Sequence, residues 1–281
     1  MSEFKKFEKN IKSQFGEDGV IEEIFSRIKT ENKTCVEFGA WDGEHMSNTW
    51  NLWHNHQWKA ILIEGEKDRC DELKKYTKDY NVNPINAFVA VEGKNSLDTI
   101  LSKTDFPENI DLLSIDIDGD DYYIFQSLKK YKPRLILIEY NPTIPPHLEM
   151  VQAEGEYFGA SALALVNLAH KKGYGLVHIT VTNLIFVHQN DFEKLNINEP
   201  ELSSIFPDEL LVYVFTSYDG KPYLSKSLAY ATTLTKLDEL KNLNTIMKQK
   251  IKSAVKGTKK SKKHPSIVTD SKIIPVEIFK I

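Results

Sequence analysis

Short apolar runs alternate with amphipathic stretches along most of this 281-residue chain. The runs are Cys35–Phe38, Ala60–Ile63, a weaker one at Pro84–Val89, Leu112–Ile115 and Leu135–Ile138, and they start roughly 22 to 28 residues apart. This spacing leaves room for a crossover helix between successive strands, which favours a parallel sheet with helices on both faces. The pattern therefore predicts an α/β fold.

The sheet is expected to close with an antiparallel pair. A helical pattern at 161–172 ends at Gly173, a residue typical of a helix C-terminus. Two further apolar runs, 176–180 and 184–187, flank a Val-Thr-Asn turn and are too close for a crossover. We predict a doubly wound, mostly parallel seven-stranded sheet with an antiparallel closing pair.

The two ends of the chain differ from its middle. We expect a helical lid or cap at 1–30, the main domain at 31–220, and a helical extension with a basic tail at 221–281. Leucines recur at helical intervals over 228–255, and eight lysines without an acidic residue fill the segment 248–263. The tail is either a solvated surface helix or a docking element for an acidic partner or a second copy of the chain.

Composition excludes several classes of protein. A formal net charge of -4 gives no reason to expect nucleic-acid binding. No apolar run is long enough to be a transmembrane segment, and the first residues lack the apolar core of a signal peptide, so we expect a cytoplasmic protein. The two cysteines provide no disulfide framework.

Acidic residues and glycines mark the ends of the first two strands. The first run leads to Glu37 and then to Gly39 and Gly43, and the second ends at Glu64. In doubly wound sheets, ligands bind beyond the carboxyl ends of the strands, where an acid can hold ribose hydroxyls. The spacing of the glycines does not fit the Gly-x-Gly-x-x-Gly dinucleotide fingerprint, which argues against a nicotinamide-dependent oxidoreductase.

The Glu-x-Gly-x-x-x-Gly turn resembles motif I of the class I S-adenosylmethionine-dependent methyltransferases, and Glu64 matches their second-strand acid. This resemblance implies S-adenosyl-L-methionine as cofactor, a glycine loop under its methionine portion, an acid on its ribose and residues after strand three beside its adenine. The cofactor residues so implied are Glu37, Gly39, Ala40, Trp41, Asp42, Glu64, Ala87, Phe88 and Asp116. Gln14 and its neighbours either fold over the cofactor as a lid or cap the following helix.

A narrower resemblance covers about residues 11 to 190. Ser-Gln-Phe-Gly-Glu-Asp at 13–18, Ile-Asp-Ile-Asp-Gly at 115–119 and a Gly-Tyr pair before the closing strands are similar to the FkbM-type branch. Many members of that branch methylate saccharide or polyketide hydroxyls. The resemblance implies O-methylation of a saccharide or small-metabolite hydroxyl. The alternative is a scaffold protein that keeps the fold without the chemistry.

Acidic residues cluster after strands four and five. The residues concerned are Asp116, Asp118, Asp120, Asp121, Glu139 and Asn141. Carboxylates this close repel one another unless a cation or a shared proton compensates, and oxygen ligands suit Mg²⁺ or Mn²⁺. Asp118, Glu139 and Asn141 are the expected ligands, and Asp-Gly-Asp-x-Tyr at 118–122 is similar to the metal sites of catechol and macrocin O-methyltransferases. Without a metal, Asp116 would instead hold the cofactor amine, and the other aspartates would cap the next helix or lie in its first turn, where the helix dipole favours acids.

Methyl transfer to a hydroxyl needs a group that accepts its proton. Two candidates for this catalytic role follow from position. Asp120 lies after strand four, and His147 lies on the proline-rich loop after strand five.

Overall fold

The computed structural model describes residues 2–216, 218 and 222–226. The chain divides into one compact unit that runs to Glu209 and a second that starts at Leu210. The predicted helix at 228–255 and the lysine-rich segment at 248–263 lie outside the described residues. The domain boundaries expected from the sequence remain predictions.

Seven strands form the sheet of the first unit. They are β1 Thr34–Phe38, β2 Lys59–Glu64, β3 Val82–Asn86, β4 Leu112–Ile115, β5 Leu135–Glu139, β6 Tyr174–Ile179 and β7 Asn183–His188. Their order is β3-β2-β1-β4-β5-β7-β6, with β7 antiparallel to both its neighbours and all other pairs parallel. The predicted fold class, a mostly parallel seven-stranded sheet with an antiparallel closing pair, is confirmed.

Helices connect the strands and cover both faces of the sheet. The α-helices are α1 Glu17–Ile28, α2 Lys67–Tyr76, α3 Leu97–Leu101, α4 Asp121–Ser127, α5 Ala162–Lys171, α6 Gln189–Phe192 and α7 Leu202–Ile205. Short 3₁₀ turns occupy Glu3–Phe7, Gly93–Asn95 and Glu193–Leu195, and one π-helical turn occupies Asn51–Asn55.

Strand order reverses between β1 and β4. From β1 the chain adds β2 and β3 on one side, whereas β4 and β5 lie on the other side. In open α/β sheets, such a switch point opens a crevice beyond the carboxyl ends of the strands. The ends of β1 and β4 therefore mark where a ligand should bind.

The core consists of two apolar clusters, one on each face of the sheet. One cluster includes Val20, Ile21 and Ile24 of α1, packed on Cys35 and Leu137 of the strands. The other cluster is larger and lies on the opposite face, where α3, α4 and α5 contribute. Because successive side chains of a strand point to opposite faces, each strand places residues in both clusters.

The described part of the second unit is small. Val214–Thr216 (β8) and Pro222–Leu224 (β9) pair as a two-stranded antiparallel sheet. Within the described residues, no helix has the length and apolar character needed to cross a bilayer.

One buried arginine, Arg134 just before β5, joins the start of β4, the carboxyl end of α1 and α6. The Arg134 guanidinium donates to Asp111 and Asp191, each at 2.7 Å, and to the carbonyl oxygen of Lys29 at 2.7 Å. The three charged side chains are 0 to 6% exposed. Removing one partner from such a group leaves the others as unpaired buried charges, which is strongly destabilising.

We therefore expect Arg134→Met to lower the free energy of unfolding by about 3 to 5 kcal/mol, measured by urea denaturation. Lys67→Ala is the control, because Lys67 pairs with Asp71 on the open surface of α2, where an ion pair contributes little. Equal losses in the two variants would contradict the structural role of the Arg134 cluster.

Candidate functional site

Four acidic side chains reach the same face of the sheet at its carboxyl edge. Glu64 and Glu139 are the last residues of β2 and β5, Glu37 is the last but one of β1, and Asp116 follows β4. They lie on the face of the sheet that carries the apolar cluster under α1. Parallel strands end at one edge of a sheet, and side chains two apart share a face. The chain thus collects these acids above the switch point, under the N-terminus of α1.

The glycine turn after β1 lies directly on the end of β4. Gly39 has φ +77°, and a Cβ there would overlap the carbonyl oxygen of Asp116. Trp41 also has a positive φ, and its backbone N–H donates to Glu64 at 2.9 Å. Gly43, at φ +80°, donates to the carbonyl oxygen of Ala40 at 2.7 Å and closes the turn. The glycines therefore allow a contact that a larger residue would prevent.

Asp42 holds the loop that follows this turn. Its carboxylate accepts hydrogen bonds from the backbone N–H groups of Glu44 and His45, at 2.9 and 2.7 Å. The side chain of Trp41 is 46% exposed beside it, with the guanidinium of Arg69 5.0 Å from the ring centre.

Glu64 is buried and oriented by backbone groups. Its two carboxylate oxygens accept from the N–H groups of Trp41 at 2.9 Å and Glu66 at 2.7 Å. Each carboxylate oxygen has a second lone pair that remains available for a ligand hydroxyl. The ribose role expected of Glu64 from the sequence stays a prediction.

An exposed aromatic ring lies next to Glu64. Phe88 follows β3, is 65% exposed, and covers Gly65 so closely that a Cβ there would overlap the ring. Ala87 donates its N–H to the carbonyl oxygen of Glu64 at 3.1 Å, which fixes the start of this segment. The structure brings Ala87 and Phe88 beside the predicted ribose acid, where an adenine ring could stack on the exposed face of Phe88.

Glu37 is held in place by the loop after the glycine turn. It accepts from the hydroxyls of Ser47 and Thr49, both at 2.6 Å, and from the N–H of Asn48 at 2.8 Å. Burial raises the pKa of Glu37, and the three hydrogen bonds oppose that rise. Its closest partners are thus parts of the protein, and the hydroxyl-rich 47–49 segment was the signal in the sequence that could have indicated them.

Asp116, Asp118 and Glu139 form a group of carboxylates. One oxygen from each lies within 4.8 Å of the others. Burial, and then the neighbouring carboxylates, raise the pKa values of Asp116 and Glu139, with Glu139 raised further. A shared proton, or a cation in contact with all three, would relieve the repulsion.

Two neighbours of this group serve the backbone. Asp121 is buried and accepts from the N–H groups of Ile117 and Gly119, both at 2.9 Å, while burial raises its pKa to about 6. The amide oxygen of Asn141 accepts from the N–H and the hydroxyl of Thr143, at 2.9 and 2.6 Å. Asp118 and Glu139, two of the three expected metal ligands, belong to the cluster of three carboxylates, and Asp116 is its third member. The third expected ligand, Asn141, uses its side-chain oxygen within its own turn.

Asp120 fixes a loop that the sequence did not indicate. Its carboxylate accepts from the side-chain amide of Gln152 and the N–H of Gly155, both at 2.9 Å. The side-chain oxygen of Gln152, a buried residue, accepts from the N–H groups of Phe158 and Gly159 at 2.6 Å. This loop carries Tyr157, 79% exposed, and burial, followed by the charge of Asp118, raises the pKa of its phenol.

His147 lies on the loop after β5 and is exposed. Gln14 is also exposed, on the loop before α1. The backbone of Gln14 accepts a hydrogen bond from the side-chain amide of Asn10 at 2.9 Å.

The segment before α1 is tied down by two buried acids that the sequence analysis had not singled out. One oxygen of Asp18 accepts from the N–H groups of Ile11, Lys12 and Ser13, at 2.7 to 2.9 Å. Glu17 accepts from Thr180 at 2.6 Å, in the turn between β6 and β7. The segment therefore closes over the carboxyl edge of the sheet.

Two buried acceptor atoms on this face have no hydrogen-bond partner among the described residues. They are Oδ1 of Asp18 and Oδ1 of Asn183, and Asn183 lies opposite Glu139 in the β5–β7 ladder. No lysine or arginine pairs with Glu37, Asp116, Asp121 or Glu139 in the described part of the chain. A buried layer rich in acceptors and poor in cations fits a positively charged ligand.

Comparison with known proteins gives a family match over part of the chain and several similar solved structures. Residues 91–160, which run from the end of β3 through β4, α4 and β5, match the family described as the methyltransferase FkbM domain. The solved structures that resemble the chain include the CMeT domain of the citrinin polyketide synthase (12% identity, 61% of this chain, 51% of that chain, TM-score 0.43). They also include a SAM-dependent methyltransferase from Aquifex aeolicus (10% identity, 59% of this chain, 87% of that chain, TM-score 0.37). A third is the CcbJ methyltransferase from Streptomyces caelestis (12% identity, 61% of this chain, 95% of that chain, TM-score 0.39).

The chain spans about half the length of the first of these, 51% of it, and likenesses at such identities concern the fold alone. A search of curated proteins finds no match. The sheet order is that of the class I methyltransferase fold. The chain therefore has the class I methyltransferase fold, and its residues 91–160 match the FkbM methyltransferase domain.

The raised pKa values predict how stability depends on pH. A carboxyl group whose pKa is higher in the folded than in the unfolded chain stabilises the fold while it is protonated, below its unfolded pKa of about 4. That contribution is lost as the pH rises through the pKa of the folded chain, which is about 6 for Asp121 and is also raised for Asp116 and Glu139.

We expect Glu139→Gln to reduce the loss of stability between about pH 5 and about pH 8, measured by urea denaturation without ligand. Glu72→Gln, an exposed change on α2, should keep the pH profile of the original chain. An unchanged profile in Glu139→Gln would contradict the raised pKa of Glu139.

Proposed function

We propose that the protein transfers a methyl group from S-adenosyl-L-methionine to a hydroxyl of a saccharide or related small metabolite. The observation that carries the proposal is the buried acidic layer at the switch point. It has several carboxylates and unpartnered acceptor oxygens but no basic side chain paired with them among the described residues.

The methyl donor has two positive charges, a sulfonium and an ammonium, and one carboxylate. Glu37 and Asp116 lie at the facing ends of β1 and β4, where those cations would replace the missing counter-charge. Opposite charges in a poorly solvated site attract strongly, and binding would lower the raised pKa values. The glycine turn lets the backbone from Gly39 to Asp42 approach the methionine portion.

The other end of the donor fits the end of β2 and β3. Glu64 would accept from the ribose hydroxyls, and Ala87 and Phe88 would border the adenine. Gln14, on the loop that closes over this edge, would contribute as part of a lid.

Methyl transfer is an in-line displacement, so the protein must align the acceptor oxygen and accept its proton. Asp120 already holds the 152–159 loop through two hydrogen bonds, which favours an anchoring role for it. Of the two candidate bases, Asp120 and His147, this leaves His147, which is exposed on the loop after β5. In the absence of a metal ion, Glu139 joins it, because a carboxylate with a raised pKa is a stronger base than an ordinary one.

A divalent cation would bind to Asp116, Asp118 and Glu139, whose oxygens approach within 4.8 Å of one another. Mg²⁺ and Mn²⁺ both accept oxygen ligands of this kind. Such an ion would polarise the acceptor hydroxyl and lower its pKa. Asn141 would then orient the adjoining loop through Thr143 and take no place among the ligands.

Donor binding is tested by calorimetry with S-adenosylhomocysteine. We expect Glu64→Ala to weaken binding by about tenfold to a hundredfold, because it removes charge-assisted hydrogen bonds to the ribose. Glu66→Ala is the matched control, since only the backbone N–H of this exposed neighbour contacts Glu64. If the intact chain bound no S-adenosylhomocysteine, the proposal would fail.

The metal is tested separately, on protein first stripped with a chelator. We expect Mn²⁺ to raise the melting temperature of the intact chain and of Asp120→Asn, whose carboxylate lies outside the three-acid group. Asp118→Asn should lose the shift because it removes one of the three ligands. An unchanged melting temperature in all three proteins would show that Asp116, Asp118 and Glu139 bind no metal ion.

A further inference from the structure

The loop at 152–159 is fixed from inside and from outside. An antiparallel bridge between Val151 and Ala160 closes it at its base. Inside the loop, the side-chain oxygen of Gln152 accepts from two backbone N–H groups of the opposite side, both at 2.6 Å. From outside, the hydroxyl of Tyr123 on α4 donates to the backbone carbonyl of Gln152 at 2.6 Å. These contacts hold the backbone of the loop in one conformation.

The far side of this loop lies between the segments that follow β4 and β5. The carbonyl oxygen of Glu156 packs against Gly119, where a Cβ would approach it to 3.0 Å. The side-chain amide of Asn141 donates to the carbonyl oxygen of Phe158 at 2.9 Å. Gly119 comes shortly after β4 and Asn141 shortly after β5, so both contacts are made at the carboxyl edge of the sheet. The residue between them, Tyr157, is therefore held beside the group of three carboxylates.

Tyr157 nevertheless leaves most of its side chain in solvent. It is 79% exposed. A single exposed aromatic side chain is common on protein surfaces and needs no explanation by itself. Tyr157 differs because the backbone on both sides of it is fixed, as in loops that present binding residues from a rigid scaffold. A ligand that covered its ring would bury a large apolar surface at little cost in main-chain order.

The surroundings of the ring combine apolar and acidic contacts. Burial, and then the charges of Asp118, Glu139 and Asp116, raise the pKa of the Tyr157 phenol, so these carboxylates lie near it. A protonated phenol can donate a hydrogen bond, and carboxylates accept from hydroxyls. A pyranose ring offers the complementary surfaces, because it has apolar C–H groups on its faces and hydroxyls on its rim. Aromatic side chains with a polar tip suit a ligand of this kind.

We propose that Tyr157 positions the methyl acceptor by stacking on the C–H face of a pyranose ring, with a ring hydroxyl directed to the carboxylates that follow β4 and β5. This inference rests on the proposed methyltransferase function and names a residue that selects its substrate. The placement suits the reaction, because the acceptor would lie beyond the end of β4, and that strand end, at Asp116, also borders the proposed donor site.

The test measures the affinity of methyl α-D-glucopyranoside and methyl α-D-galactopyranoside by saturation-transfer NMR, on the full chain with S-adenosylhomocysteine present. We expect at least one glucoside or galactoside to bind, and Tyr157→Ala to weaken that binding by about tenfold through loss of the aromatic face. Tyr157→Phe keeps the ring and should stay within about threefold of the intact chain. Glu154→Ala, an exposed change on the same loop, is the matched control and should leave the affinity unchanged.

Sorbitol is the control ligand, because it has the hydroxyls of a sugar without a ring face, and we expect it to bind more weakly than the pyranosides. Four results would overturn the inference. They are equal affinity in Tyr157→Ala and the intact chain, a loss in Tyr157→Phe as large as in Tyr157→Ala, sorbitol binding as tight as pyranoside binding, and no binding of either pyranoside.

Calorimetry with S-adenosylhomocysteine on the same proteins separates this inference from the proposed function. Tyr157→Ala should keep its circular dichroism spectrum and its affinity for S-adenosylhomocysteine, because the side chain is exposed and lies outside the proposed donor contacts. Binding of S-adenosylhomocysteine without binding of a pyranoside contradicts only the role of Tyr157. Absence of S-adenosylhomocysteine binding by the intact chain contradicts the methyltransferase proposal itself.

Discussion

The close approach of the first turn to the fourth strand is the constraint on which the site depends. Gly39 lies against the carbonyl oxygen of Asp116 because it has no Cβ and adopts a positive φ. That contact occurs at the reversal of strand order, the place where a doubly wound sheet opens a crevice. It brings the end of β1, with Glu37, and the end of β4, with Asp116, to the same point. A side chain at position 39 would separate these two strand ends, and the acids of the site with them.

Gathering acids in this way has an energetic cost. Carboxylates that lie close together and partly out of water are destabilised in their charged form, which is why the pKa values of Glu37, Asp116, Asp121 and Glu139 all rise. The chain offsets part of this cost with hydroxyl and backbone N–H donors, as around Glu37, but it provides no paired basic side chain there among the described residues. A bound cationic ligand would supply the opposite charge that these carboxylates lack, so ligand binding would also stabilise the fold. The site is thus electrostatically prepared for a positive group.

The sequence was sufficient for the fold and for the strand-end acids, but it could not predict how side chains share their hydrogen bonds. Apolar runs with crossover spacing determine a parallel sheet, and the acids that end those runs reach one edge whatever the details of packing. Asn141 and Asp120 differ, because each has a nearby backbone partner that competes for its oxygen: the turn at Thr143 for one and the loop at Gly155 for the other. Those contacts depend on loop conformations that no periodic pattern encodes.

Two buried acids at the start of α1 hold two separate segments at the carboxyl edge of the sheet. Asp18 gathers three consecutive backbone N–H groups and so shapes the loop from Ile11 to Ser13, while its second oxygen has no partner among the described residues. Glu17, the residue before it, binds the β6–β7 turn through Thr180. Asp18 thus holds the loop and Glu17 holds the β6–β7 turn, so two successive residues fix two different parts of the carboxyl edge. A shift of the start of α1 would move both parts together.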